Sequence, residues 1–173
     1  MRTLFVIPVL LAALALDGCA TPADTDSRHA FHPEVPGPYD IKADAPAEVK
    51  VALERGAADH RPTLLVFGAN WCGDCRALDK ALHDPDTSAL VAHDFNVVKI
   101  DVGNFDRNMP LSMQFGNPIA GGIPAVVLLA PDRSVVYSSK AGELANARTM
   151  SASGIRDFLA HLSTLVPAAT TVQ

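Results

Sequence analysis

The chain has 173 residues, of which 49% are apolar and 19% are charged. This length suits one domain with its own hydrophobic core and a short extension, and the composition is that of ordinary globular proteins. The formal net charge is −5, and the sequence has no Lys/Arg cluster that could neutralise a run of phosphates. We therefore expect no nucleic-acid partner.

The N-terminus has the features of an export signal. Arg2 supplies a positive start, and residues 4–16 form an apolar run of 13 residues. Such a run is too short for a membrane span of about 20 residues, but it suits the core of a signal peptide. We expect residues 1–19 to be a signal sequence and the protein to be exported to the periplasmic side.

Two ways of processing this signal are open. Leu16, Gly18 and Cys19 stand as in a bacterial lipoprotein box, in which the cysteine is lipidated, although Asp17 departs from that pattern. The alternative is ordinary cleavage after Ala20, which would leave a soluble periplasmic or secreted protein. Three cysteines leave one unpaired if the other two form a unit, and this favours lipidation of Cys19. Alanine rather than aspartate at position 20 then favours the outer membrane.

The composition divides the rest of the chain into three parts. Residues 20–45 are polar and Pro-rich, which predicts a flexible linker because such a segment buries too little apolar surface. Residues 46–166 contain the predicted helices and strands of one domain. Residues 167–173 form a C-terminal tail.

The first half of the domain begins with a predicted helix. Asp44 can cap this helix, and Pro46 suits its first turn. A buried strand follows at residues 63–67, where the chain is apolar and rich in β-branched and aromatic residues. Two helical pieces come next, one over residues 76–82 and one ending near residue 91, with a Pro-containing break between them.

The second half continues the alternation of strands and helices. A second buried strand is predicted at residues 96–102, followed by a short helix that ends near Phe115. A third strand at residues 125–130 is followed by a turn and an antiparallel return at residues 135–138. Ser153 can cap a last amphipathic helix. This order predicts an α/β domain with a mixed sheet flanked by helices.

Residues 71–75 read WCGDC and lie between the first strand and the next helix. Cys72 would stand at the start of that helix, where unpaired N–H groups and the helix dipole favour an anion. The thiolate is the reactive form of cysteine. Cys75, in the same turn, could resolve a mixed disulfide formed at Cys72. The pattern predicts a reversible dithiol–disulfide couple with these two catalytic residues.

Other uses of the cysteine pair are less well supported. A zinc site needs about two further Cys or His ligands, and neither His83 nor His93 has a partner at motif spacing. A purely structural disulfide would close too small a loop to stabilise the fold much. A non-catalytic binding lipoprotein and metal delivery through the two thiols remain as alternatives. No metal site or organic cofactor is required by the redox interpretation.

Together, the buried strand, the WCGDC motif and the downstream Ile123-Pro124 resemble the thioredoxin family over residues 46–165. The resemblance implies a thioredoxin fold and thiol–disulfide oxidoreductase activity. It also implies a cis peptide bond before Pro124, which would shape the substrate groove opposite the cysteines. The backbone of Ile123 would pair with an extended substrate, and Trp71 would cover the motif.

Two departures from the family pattern affect the chemistry. Thioredoxin itself has Gly-Pro between its cysteines, whereas this chain has Gly73 and Asp74. Family members commonly have a buried acid six positions before the first cysteine, and here that position is Val66. The proton of Cys75 would therefore need another route, through water or Asp74. Asp74 should also disfavour the Cys72 thiolate by like-charge repulsion, so we expect a reductase or isomerase rather than a strong oxidase.

The expected partners follow from this chemistry and from export. They are disulfide-containing protein substrates and a membrane thiol electron donor, because an exported reductase must be supplied with electrons in an oxidising compartment. A lipid anchor through Cys19 would keep the protein at a membrane surface.

Overall fold

The computed structural model describes residues 35–166. The predicted signal sequence with Cys19, residues 20–34 of the predicted linker and the predicted tail at residues 167–173 lie outside the described part of the chain. Within residues 35–166, the helices are too short or too polar to cross a membrane.

The described residues form four strands, five α-helices and two short 3-10 helices. In chain order they are α1 (Ala45–Asp59), β1 (Thr63–Gly68), α2 (Gly73–Leu82), α3 (Pro85–Asp94), β2 (Asn96–Asp101), α4 (Met109–Gln114), a 3-10 helix (Pro118–Gly121), β3 (Ala125–Leu129), β4 (Val135–Ser138), a second 3-10 helix (Ala147–Thr149) and α5 (Ala152–Thr164). The predicted strands and helices are all present, with end shifts of a few residues.

The strands form one mixed sheet in the order β2-β1-β3-β4. Strands β1 and β2 are parallel, because helices α2 and α3 carry the chain back before β2 begins. Strand β3 is antiparallel to both β1 and β4, which places the closing hairpin at one edge. The predicted mixed sheet flanked by helices is confirmed.

The caps of the first and last helices illustrate how local residues set the boundaries. Asp44 caps α1 as predicted, since its carboxylate accepts a hydrogen bond of 3.1 Å from the Ala47 N–H. The predicted cap of α5 is wrong. Ser151, not Ser153, accepts the 3.0 Å hydrogen bond from the Gly154 N–H. Both serines precede the same apolar stripe, so periodicity alone does not choose between them.

Two apolar clusters form the core, and alternate residues of β1 belong to different clusters. Leu65 and Phe67 pack in the first cluster, which includes residues of α1 and α4 and both cysteines of the motif. Leu64 and Val66 pack in the second cluster, together with residues of α2 and α5. Strand β1 is buried throughout, as its apolar sequence predicts. The motif that follows β1 is thus fixed to the centre of the domain.

The last part of the predicted linker belongs to the folded domain. Tyr39 is only 3% exposed and packs in the first cluster. Its N–H donates to Asn70 Oδ1 at 2.9 Å, and Asn70 Nδ2 donates to the Tyr39 carbonyl oxygen at 2.8 Å. We refer to residues 35–44 as the N-terminal arm. The folded domain therefore begins before residue 46. The composition around Tyr39 does not predict this, because the docking depends on one buried side chain.

Candidate active site

Cys72 lies at the junction between strand β1 and helix α2. It is the N-cap residue of α2, with an extended backbone, and its Sγ accepts a hydrogen bond from the Cys75 N–H at 3.1 Å. The first turn of a helix offers unpaired N–H groups and the positive end of the helix dipole. A thiolate at Cys72 would therefore be stabilised where the sequence predicts it.

The two cysteines of the motif form a disulfide. Their Cα atoms are 5.2 Å apart, at a sequence separation of three. Cys72 is 5% exposed, whereas Cys75 has no exposed surface. An incoming sulfur can thus reach Cys72, while Cys75 is accessible only from within the protein. The nucleophilic role of Cys72 and the resolving role of Cys75 stay predictions from the motif.

Ile123 lies beside Cys72, and Pro124 follows it in the chain. The peptide bond between them is cis, as the resemblance to thioredoxins implies. The carbonyl oxygen of Ile123 lies 3.6 Å from Cys72 Sγ, and both residues are buried. The structure thus brings together the cysteines and the distant Ile-Pro pair that the sequence separates by about fifty residues.

Trp71 is half-buried next to the cysteines. Its Nε1 donates a hydrogen bond of 2.8 Å to the Gly103 carbonyl oxygen, which fixes the indole against the loop after β2. The ring also meets Phe105 edge to face, with centroids 6.1 Å apart. Phe105 was not singled out from the sequence, and it is 40% exposed. Trp71 and Phe105 together form an aromatic surface beside the motif. Apolar side chains of a partner could contact this surface.

Asp74 does not stand as an isolated charge. Its Oδ1 accepts from the Arg148 N–H at 2.9 Å, and its Oδ2 lies 3.2 Å from Arg148 Nε. Arg148 also crosses Gly73, since a Cβ on this glycine would lie 3.0 to 3.3 Å from the arginine side chain. The expected repulsion between Asp74 and a Cys72 thiolate is therefore offset by a cation that the sequence analysis missed. No local pattern connects residue 148 with the motif.

Val66 occupies the position of the buried acid and packs in the second apolar cluster, whereas Cys75 lies in the first. The polar group that lies near Cys75 is instead the hydroxyl of Tyr39. A Cβ on Gly68 would overlap the Tyr39 hydroxyl oxygen and would lie 3.1 Å from Cys75 Sγ. Both atoms thus converge on the space left free by Gly68. Burial, and then the negative charges of Asp79 and Asp101, raise the pKa of the Tyr39 hydroxyl above its ordinary value.

Residues 35–166 contain no group of three or more His, Cys, Asp or Glu side chains that could hold a metal ion. Among the described residues, metal delivery would therefore have to rely on the two thiols of the motif.

The sequence model of a family described as thioredoxin-like matches residues 44–131. The match spans both cysteines, Ile123 and Pro124.

The chain belongs to the thioredoxin-like family.

Solved structures similar to this thioredoxin-like protein include a disulphide isomerase from Xylella fastidiosa Temecula1. The two sequences are 59% identical, with a TM-score of 0.73, over 75% of this chain and 98% of that one. A thioredoxin from Thermus thermophilus is 22% identical, with a TM-score of 0.48, over 67% of this chain and 82% of that one. The C-terminal domain of DsbD from Neisseria meningitidis is 26% identical, with a TM-score of 0.45, over 57% and 84%. No curated protein sequence matches the chain.

Family membership and the Cys72–Cys75 disulfide together identify this thioredoxin-like protein as a thiol–disulfide oxidoreductase. Its redox partners are thiols and disulfides, because the couple exchanges electrons only by forming and breaking S–S bonds.

Proposed function

We propose that this protein is an exported enzyme that reduces or isomerises disulfides in other proteins, with Cys72 as the attacking thiolate. The observation that carries the proposal is the unequal exposure of the pair at the start of α2. Cys72 has a little accessible surface, and its Sγ accepts a hydrogen bond from the Cys75 N–H, whereas Cys75 is fully buried. We therefore expect a substrate disulfide to meet Cys72 rather than Cys75.

The reaction proceeds in two exchanges. The Cys72 thiolate attacks one sulfur of the substrate disulfide, forms a mixed disulfide and releases the other substrate sulfur as a thiolate. Cys75 then attacks Cys72 Sγ, which forms the intramolecular disulfide and releases the second substrate sulfur. Two electrons pass from the dithiol to the substrate, and the two protons lost by the cysteines balance those gained by the substrate thiols. In isomerisation the first step reverses on a different substrate sulfur, so that no net oxidation occurs.

The residues around Cys72 support specific roles in this cycle. The Ile123 carbonyl oxygen, 3.6 Å from Cys72 Sγ, lies where the backbone of an extended substrate could pair with it. We expect Pro124 and Trp71 to contact the substrate on either side of Cys72. Gly73 leaves room for the Arg148 side chain, and Asp74 holds that side chain over the first turn of α2. Gly73 and Asp74 thus tune the couple through Arg148.

The direction of electron flow is inferred from a relative and from compartment. The 59% identical protein from Xylella fastidiosa is described as a disulphide isomerase, which supports transfer of electrons to substrates or shuffling of their disulfides. Asp74, paired with Arg148, contributes less to this direction than its charge alone suggests. A donor role in an oxidising compartment requires a membrane thiol electron donor that reduces the Cys72–Cys75 disulfide after each reductive turnover.

Export and lipidation are proposed from the sequence of residues 1–20. Incorporation of labelled palmitate into the wild-type protein, and its loss in Cys19→Ala, would support the lipid anchor. Cleavage after Ala20 without label in either protein would instead support a soluble periplasmic form. Fractionation of the cells then reports the membrane that carries the protein.

Turnover of insulin disulfides and reactivation of scrambled ribonuclease test the activity. The wild-type protein should accelerate at least one of these reactions, and Cys72→Ser should abolish the acceleration. Equal rates in both proteins would overturn the enzymatic proposal and leave the non-catalytic binding alternative. Stoichiometric retention of copper or zinc that depends on Cys72 and Cys75, without disulfide turnover, would instead support metal delivery.

A further inference from the structure

We propose that the hydroxyl group of Tyr39 donates a hydrogen bond to the thiolate of Cys75 and thereby supports the step in which Cys75 resolves the mixed disulfide. The proposal rests on the redox activity of the Cys72–Cys75 couple. It gives a chemical role to the N-terminal arm, in which Tyr39 lies outside the segment matched by the family model.

The position of Gly68 brings the two groups together. Strand β1 ends at this glycine, and the place where its side chain would be is occupied by the Tyr39 hydroxyl group. Cys75 Sγ lies 3.1 Å from the same place. Any larger residue at position 68 would separate the phenol oxygen from the sulfur. Since a hydroxyl hydrogen can rotate about its C–O bond, it can point at the sulfur when that sulfur carries a charge.

The N-terminal arm holds the tyrosine in this position from both sides of its backbone. Asn70 accepts from the Tyr39 N–H and donates to the Tyr39 carbonyl oxygen, and the asparagine is itself buried. Asn70 lies two residues before Cys72. The same short segment therefore carries the nucleophile and fixes the tyrosine, so the hydroxyl group is positioned relative to the redox couple.

The chemistry of Cys75 creates the need for a donor. The sulfur is fully buried among apolar residues that include Leu65 and Phe67. Burial in such surroundings disfavours a thiolate, yet only the thiolate attacks a disulfide. The Cys75 N–H is directed at Cys72 Sγ, and Val66 supplies no acid–base group. A phenol hydroxyl that reaches the buried sulfur can stabilise the charge that the surroundings oppose.

The charges around Tyr39 keep it in the form that can donate. Burial first, and then the carboxylates of Asp79 and Asp101, raise the pKa of the hydroxyl above its ordinary value. Lys99 pairs with Asp79, and Arg107 lies 3.0 Å from Asp101, so both carboxylates have cationic partners. Tyr39 therefore stays protonated at neutral pH and acts as a hydrogen-bond donor rather than as a base.

The resolving step balances with Tyr39 unchanged. The bond between Cys72 Sγ and the substrate sulfur breaks, and the bond between Cys72 Sγ and Cys75 Sγ forms. The electron pair of the broken bond leaves with the substrate sulfur. The proton lost by Cys75 balances the one that the departing substrate thiolate takes up, while Tyr39 keeps its own proton throughout.

The two exchanges can be timed separately with Ellman's reagent. Attack by Cys72 on this aromatic disulfide releases one chromophore, and resolution by Cys75 releases a second. In the reduced Tyr39→Phe protein we expect the first release to remain within about twofold of wild type and the second to slow roughly tenfold, the effect of losing one hydrogen bond to a charged group. We also expect the second release to require a higher pH, which a purely structural defect would not produce.

The chain has two tyrosines, and Tyr137 supplies the matched control. It lies on β4 against Phe158, in the second cluster, so Tyr137→Phe should leave both releases unchanged. Gly68→Ala, whose methyl group would displace the Tyr39 hydroxyl, should slow the second release and decides the matter if Tyr39→Phe does not fold. An unchanged second release in a folded Tyr39→Phe protein, or equal slowing of both releases, overturns the proposal. Loss of insulin turnover with normal chromophore release would count against the proposed function only.

Discussion

Asp74 and Arg148 contact each other across 74 residues of sequence, directly over the first turn of the helix that carries the cysteines. The carboxylate is nearly buried, whereas the Arg148 side chain is 66% exposed. The acidic residue between the cysteines is thus compensated by a cation from the segment before α5. We therefore expect the redox properties of Cys72 to depend on the pair rather than on Asp74 alone.

Arg148→Ala should leave the Asp74 carboxylate uncompensated beside Cys72. The thiolate and hence the reduced form become less stable, so we expect the reduction potential to fall by roughly 10–30 mV. Because the arginine is mostly exposed, we expect the free energy of unfolding to fall by only about 1 kcal/mol. Equilibration with glutathione and urea unfolding measure these two quantities. Arg156→Ala, at an exposed site on α5, is the matched control.

A double-mutant cycle separates the charge of Asp74 from the shape of its side chain. Asp74→Asn should change the potential little in the wild-type background, where Arg148 offsets the charge, but should restore it in the Arg148→Ala background. Equal effects of Asp74→Asn in the two backgrounds would show that Arg148 does not compensate the carboxylate.

Cys75→Ser should trap mixed disulfides with substrate proteins. Cys72 keeps its accessible surface and its hydrogen bond from the residue 75 N–H, so the first exchange still occurs, whereas no thiol remains to resolve the product. Non-reducing electrophoresis of cells that express the variant should show adducts that disappear on reduction. Cys72→Ser should yield far fewer, because Cys75 is fully buried. Similar adducts in both variants would contradict the assigned roles.

Tyr39 should make the protein less stable at alkaline pH. An ordinary tyrosine ionises near pH 10.0, whereas burial and the charges of Asp79 and Asp101 raise the pKa of Tyr39 in the folded protein. Above about pH 10, a tyrosine in the unfolded chain loses its proton while Tyr39 in the folded protein keeps it. The free energy of unfolding therefore falls as the pH rises. Below pH 10 the contribution is fully present.

Urea unfolding of wild type and Tyr39→Phe between about pH 8 and pH 11 tests this linkage. The variant should show a shallower decline. Tyr137, whose pKa is raised to about 12 by burial and by Glu143, should give a smaller change when replaced by phenylalanine, because its ring is only partly buried. Parallel declines in wild type and Tyr39→Phe would mean that folding does not raise the pKa of the Tyr39 hydroxyl.

Asn70→Ala should loosen the N-terminal arm from the redox site. The change removes two hydrogen bonds to the Tyr39 backbone, at 2.9 and 2.8 Å, and leaves buried polar groups without partners. We expect the free energy of unfolding to fall by about 1–3 kcal/mol. Limited proteolysis should cut residues 35–44 faster than in wild type. Asn146→Ala, whose exposed side chain makes no capping hydrogen bond, is the control.

The redox couple is predictable from sequence because its signals are local. A buried strand, a helix that begins at the first cysteine and a second cysteine in the same turn all follow from residues 63–82. The Ile123-Pro124 pair is distant, but its resemblance to the family pattern places it. The alternation of elements likewise predicts a mixed sheet, since parallel strands such as β1 and β2 need a crossover connection, which helices supply.

What the sequence concealed lies in contacts between distant segments. Arg148 lies in a short 3-10 helix, and no sequence pattern there points to Asp74. Tyr39 lies among prolines and polar residues whose average composition predicts a linker. Its buried ring and two hydrogen bonds between its backbone and the Asn70 side chain nevertheless dock the N-terminal arm. Composition describes a segment as a whole, whereas docking depends on single side chains.

The docked N-terminal arm changes what counts as the smallest working unit of this protein. A fragment cut to the matched residues 44–131 would retain both cysteines and Pro124, yet it would lack Tyr39, whose hydroxyl lies near Cys75, and Arg148, which pairs with Asp74. Comparisons of redox behaviour among related proteins therefore need the flanking segments as well. We expect the redox behaviour that distinguishes this chain from its relatives to depend on these residues outside the motif.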